Sequence, residues 1–169
     1  MASLGKSVAV SVLFTLFGGP GILLALAPWW VTRFHLPEGE PLWQILVFGV
    51  AIAVGLAPLL ESIWRFIVVG HGTLLPAVPP EHLVVSGFYR YVRNPMYVGV
   101  LTVLVAEAVL FRSRTLVIEA VTAWIAIELF VRLYEEPKLT RTFGDEYTTY
   151  RQNVRRWLPR CTPWQPPGQ

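Results

Sequence analysis

Gly87-Phe88-Tyr89-Arg90-Tyr91-Val92-Arg93-Asn94-Pro95-Met96-Tyr97-Val98-Gly99 is a basic and aromatic stretch that runs, without a linker, into an apolar segment ending at Phe111. A second apolar segment, Thr115 to Val131, leads into another unusual string, Arg132-Leu133-Tyr134-Glu135-Glu136-Pro137. Polar clusters at the ends of two segments of membrane-spanning length read as two halves of one site. Outward from this pair the same kind of block recurs. Val8 to Trp30 carries no charged residue, and neither does Pro41 to Leu60, whose apolar character continues past Glu61 and Arg65 to Val69. Pro95 to Phe111 carries only Glu107, and Thr115 to Val131 only Glu119 and Glu128.

Crossing a bilayer core takes roughly 17–25 mostly apolar helical residues. Open strands cannot cross it, because their backbone groups would stay unpaired in lipid. The blocks therefore predict an all-α integral membrane bundle. Its four transmembrane helices fall near residues 8–31, 42–69, 95–111 and 115–135 of a single domain over 1–169. Of the 169 residues 54% are hydrophobic and only 15% charged, against about a quarter charged in soluble domains. The first block is too long for the core of a signal peptide. Of the 14 basic residues only Arg33, Arg112 and Arg114 fall on one side, so both termini are expected on the cytoplasmic face of the cell membrane. The net charge of +3 is then topology and calls for no nucleic-acid partner. One cysteine, Cys161, gives neither a disulfide framework nor a metal cluster, and no metal is expected.

Gly18-Gly19-Pro20-Gly21 is expected to kink the first helix, and Arg112-Ser113-Arg114 to join the third and fourth as a hairpin. Gly70-His71-Gly72-Thr73, in the longest connector, permits close approach to a ligand or simply ends a helix. Glu136-Pro137 is expected to break the fourth helix and start a short cytoplasmic one over 137–142. Phe143-Gly144 breaks that, and a last helix follows over 145–157. There Tyr147, Tyr150, Val154 and Trp157 recur at helical spacing as an apolar stripe opposite basic residues, the pattern of an interfacial helix.

Ionisable residues in membrane helices are costly and usually mark a site or pathway. Glu61 and Arg65 share a helix face, and Glu128, Arg132, Glu135 and Glu136 cluster at the end of the fourth helix. Structural ion bridges explain the first pair as well as a site does. Asn94-Pro95 opens a helix with a capping residue followed by proline. Its free N–H groups and positive dipole end suit a ligand carboxylate or hydroxyl. Tyr89 and Tyr91 fit equally well as interfacial aromatics.

At these residues the chain resembles the isoprenylcysteine carboxyl methyltransferase family and its relatives, among them the phosphatidylethanolamine N-methyltransferases. The shared pattern is Tyr-Arg-x-x-Arg-His/Asn-Pro-x-Tyr-x-Gly, two hydrophobic helices, Glu-Glu-x-x-Leu, then Phe-Gly-x-x-Tyr-x-x-Tyr. Here these stand as Tyr89 to Gly99, Glu135 to Leu139, and Phe143 to Tyr150. The resemblance implies an S-adenosylmethionine-dependent membrane methyltransferase without a Rossmann domain. It further implies a cofactor site of Tyr89, Arg93, Asn94, Pro95, Tyr97, Gly99, Glu135, Glu136, Tyr147 and Tyr150. Arg132, Arg156 and Glu136 are the expected catalytic groups. Asn94 stands where the isoprenylcysteine enzymes carry histidine; Asn94-Pro-Met-Tyr97 and Tyr134-Glu-Glu-Pro137 look more like the phospholipid enzymes.

The expected acceptor is lipophilic and membrane-embedded. A carboxylate, such as a prenyl-cysteine-like group, needs a cationic clamp, for which Arg132 or Arg156 serves. A phospholipid amine must instead lose a proton, recruiting a glutamate or tyrosine; a small thiol is a further alternative. The rival class is a non-enzymatic membrane subunit or transporter, although a transporter more naturally places its polar residues at the midplane.

Overall fold

The computed structural model describes residues 13, 20–36, 38–39, 41–69 and 82–166. The start of the expected first helix, Gly18-Gly19 and the Gly70–Thr73 turn lie outside the described residues. Within them the regular structure is entirely helical. In chain order the helices are α1 (Ile22–Thr32), α2 (Leu42–Val68), α3 (Pro95–Leu110), α4 (Arg114–Phe130) and α5 (Glu136–Asn153). A short 3-10 turn, Gly87–Arg90, precedes α3.

Two π-helical turns follow one rule. Ile22–Leu26 comes two residues before Pro28, and Val131–Glu135 two residues before Pro137. A proline inside a helix offers no N–H and crowds the carbonyl one turn back; a π turn widens the ladder there and lets the helix continue. This corrects the expected break at Glu136-Pro137, because α4 passes through the π turn directly into α5. The break at Gly144 is present, with φ 51° and ψ −121° inside α5. The helix then ends at Asn153, short of the expected 157.

α2 is the one described helix long and apolar enough to cross a membrane; α1 and α3 are apolar but shorter. Only 17% of the apolar window of α2 is buried, whereas the core helix of a soluble domain is mostly buried. Its Leu46, Val50, Val54 and Trp64 stand exposed, as do Val105 and Val109 of α3 and Ile118 and Ile125 of α4. That apolar exterior exceeds what a water-soluble monomer normally shows.

Lipid is as apolar as a leucine, so helices in a bilayer associate through close packing rather than hydrophobic transfer. The α2–α3 crossing has close packing of that kind. A Cβ on Gly55 would lie 2.7 Å from Val103 Cγ2 and 2.9 Å from the carbonyl of Gly99, and one on Gly99 would run into the carbonyl of Gly55. The backbones therefore touch, and Leu59, Val100, Leu104, Ala120 and Ala123 form a core against which Leu23 and Leu24 of α1 pack. A separate cluster of Tyr147, Tyr150 and Val154 closes against Leu83, Val85 and Trp164.

Candidate functional site

The segment between α2 and α3 is laced to the chain beyond α5. Arg93 N donates to Arg155 O at 2.9 Å, Arg160 N to Tyr91 O at 2.9 Å, and Trp164 N to Arg90 O at 2.9 Å. Tyr150 adds its hydroxyl, donated to the carbonyl of Tyr89 at 2.7 Å. At the other end, Gly87 has φ +57°, and a Cβ there would collide with the Glu61–Arg65 ion pair of α2. Glu61 also accepts from Phe88 N at 3.4 Å. The pair is thus the seat on which the connector turns into the site, the structural role the sequence allowed for it.

Glu136 is the centre. Arg156 grips it with two bonds, Nε to Oε1 at 2.7 Å and Nη2 to Oε2 at 2.8 Å. Arg93 Nη1 donates to the same Oε1 at 2.8 Å and to Tyr147 Oη at 3.3 Å. The side chains of Arg93 and Glu136 are each only 9% exposed. Burial alone would raise the Glu136 carboxyl; the hydrogen bond from Arg156 and the charges of Arg93, Arg156 and Arg151 outweigh it and hold the group below its usual range. The Glu136 bond in turn raises the Arg156 guanidinium. Burial, with the Glu136 charge, pushes up the Tyr147 phenol, and burial does the same for Tyr89 and Tyr150. These tyrosines stay protonated donors at neutral pH.

A depressed carboxyl contributes stability that is whole above its unfolded value, about 4.3, and is lost as pH falls through the folded one. The difference in thermal midpoint between wild type and Glu136→Gln is therefore expected to be constant from neutral pH to about pH 5 and to shrink in more acid solution. A difference independent of pH throughout would show that the Glu136 charge does not hold the network.

The neighbouring glutamate differs. Glu135 has no ion pair among the described residues and accepts one hydrogen bond, from Tyr97 Oη of α3 at 3.3 Å. Consecutive helical residues point about 100° apart, so these two glutamates meet different partners. Asn94 stands at the start of α3 with Pro95 behind it, yet its side chain caps nothing. Its Nδ2 and the Nε of Arg93 are buried without partners among the described residues. Two orphaned donors and an uncapped helix start leave hydrogen-bonding capacity unused at the start of α3, and Glu135 is a carboxylate with no ion pair among the described residues.

Of the expected site residues, Arg93, Glu136, Tyr147 and Arg156 meet in one network, and Tyr97 meets Glu135. Pro95 and Gly99 are buried where α3 begins and crosses α2. Tyr89 and Tyr150 hold the connector. Arg132 stands apart: its side chain is 61% exposed and pairs with Glu128. Glu128, noticed in the sequence only as a misplaced charge, accepts from Arg156 Nη1 at 3.2 Å and from Trp157 Nε1 at 2.7 Å. Trp157 leaves the expected stripe and packs on Trp124, with ring centroids 4.9 Å apart. A helix ending at Asn153 frees Trp157 to turn toward α4.

The chain thus joins an apolar exterior to a buried arginine–glutamate network at one end of its α3–α4 hairpin. It belongs to the phospholipid methyltransferase family, whose sequence profile matches residues 47–146, more than half of the chain. That family is one of methyltransferases, so an enzyme is indicated. Comparison with curated proteins and with solved structures gives no match.

Proposed function

We propose that this chain is a multi-pass membrane enzyme that uses S-adenosylmethionine to methylate the amine headgroup of a phospholipid at the cytoplasmic face. In this reading the first four apolar segments span the bilayer and α5 lies along its surface. The start of α3 and the end of α4 share one end of the hairpin, which supports a site at a single interface. The excess of basic residues at that end supports its being cytoplasmic.

The residues present suit the cofactor. Asn94 Nδ2, Arg93 Nε and the uncapped first turn of α3 are donors for its hydroxyl and carboxylate groups. Tyr97 and Tyr147 offer aromatic faces, and Glu135 a charge, to a cation. When bound, S-adenosylmethionine supplies a methyl group on a positively charged sulfur.

The observation that carries the amine reading is the inequality of Glu135 and Glu136. A carboxylate acceptor needs a cationic clamp, yet Arg93 and Arg156 are committed to Glu136, and Arg132 to Glu128. The carboxylate left without a cation is Glu135. It can hold an ammonium headgroup and accept its proton. Loss of that proton to Glu135 would leave the headgroup nitrogen with a free lone pair, ready for the methyl group that the bound cofactor would supply.

The test is methyl incorporation by the purified protein in nanodiscs, with labelled cofactor and either phosphatidylethanolamine or a farnesyl-cysteine as acceptor. Label is expected in the phospholipid, and Glu135→Gln is expected to lower kcat by about a hundredfold or more, the usual weight of a general base. Label confined to the carboxylate would sink the amine reading.

A further inference from the structure

We propose that the apolar cavity beside α2 and α3 holds one hydrocarbon chain of the acceptor lipid, with Trp157 closing its polar end. The identity of the lipid as acceptor rests on the methyl-transfer reading; the cavity as a chain site does not. The cavity has a volume of about 740 Å³, within the range of about 300–1,000 Å³ typical of ligand sites. Val47 and Ala51 of α2 face Val98 and Val105 of α3 across it, and Trp124 and Trp157 form one wall. Val47 is 59% and Val105 55% exposed, so the cavity opens sideways on the apolar exterior, where a lipid arrives.

Its occupant follows from length and continuity. The stretch of α3 along the cavity, Val98 to Leu110, measures about 18 Å at the helical rise. Half of a bilayer core is about 15 Å, so one chain of one leaflet fits lengthwise. The polar site lies next door along the backbone. Arg156 grips Glu136, while Trp157, the next residue, lines the cavity. Both donate to Glu128, at 3.2 Å and 2.7 Å. A chain resting on Trp157 thus buttresses the residue that shares an acceptor with Arg156, and its headgroup is set beside the glutamates.

The test uses phosphatidylethanolamine carrying a diazirine in one acyl chain, with the full-length protein in nanodiscs. Photolabel is expected on the cavity faces of α2 and α3, and is expected to be lost in Val105→Trp, a change at an exposed position that fills the mouth. Labelling spread equally over the outer face of α4, around Ile118 and Ile125, and untouched by Val105→Trp would mean surrounding lipid only and would overturn the proposal. This readout needs no turnover, so it stands even if the wild type transfers no methyl group. With turnover, Val105→Trp is expected to raise KM for a long-chain acceptor about tenfold or more while leaving a short-chain acceptor and cofactor affinity unchanged. Equal KM changes for both chain lengths would also overturn it.

Discussion

Glu136→Ala is expected to abolish cofactor binding and to destabilise the fold by about 3–5 kcal/mol, the usual cost of leaving a buried charge without its partner. The arginine that suffers is Arg93, whose side chain is 9% exposed and whose partners are Glu136 and Tyr147. Its Nε already lacks a partner among the described residues, so after the change the guanidinium has only a tyrosine oxygen. Arg156 loses a bidentate bond but keeps Glu128. Glu136→Gln, which keeps an acceptor oxygen and removes the charge, should fall between wild type and alanine. Thermal unfolding in detergent and cofactor titration measure both effects. An alanine variant of wild-type stability would mean that the network is ornamental.

Gly99→Val is the second large effect. A Cβ there would meet the carbonyl of Gly55 and lie 3.0 Å from Leu59 Cβ, and both obstacles belong to α2 near its own closest approach. Neither is the end of a flexible side chain, so the helices must part. Overpacking of this kind costs about 1–3 kcal/mol, occasionally more. Here it also moves the first turn of α3, which carries Asn94, Pro95 and Tyr97. Cofactor affinity is therefore expected to fall together with the thermal midpoint. Loss of affinity without loss of stability would place Gly99 against the ligand instead of against α2. Gly55→Val tests the same crossing from the opposite helix and should lower stability similarly.

The apolar blocks made α2, α3 and α4 legible in the sequence, because hydrophobic length is a one-dimensional signal. Arg93, Glu136 and Tyr147, which the structure joins in one network, stood out in the sequence because unusual charge and motif spacing sit at segment ends. Three features were not legible. Pro137 reads as a helix breaker, and nothing in residue periodicity announces the π turn that carries the chain past it. Trp157 fits a stripe with Tyr147, Tyr150 and Val154 only if the helix continues; its end at Asn153 is set by tertiary bonds such as Arg93 N to Arg155 O. Glu128 was visible as a charge out of place beside Arg132, but its other partners, Arg156 and Trp157, come from a segment more than a helix length away in sequence. Pairings of that kind depend on how elements fold together.

In the proposed function, Arg93, Asn94, Glu135 and Glu136 surround S-adenosylmethionine. Calorimetric titration of the purified protein in detergent tests it most directly. Saturable binding is expected, competed by S-adenosylhomocysteine, weakened in Asn94→Ala and lost in Glu136→Ala. Absence of saturable binding to folded wild type, or affinity unchanged in both variants, would contradict it.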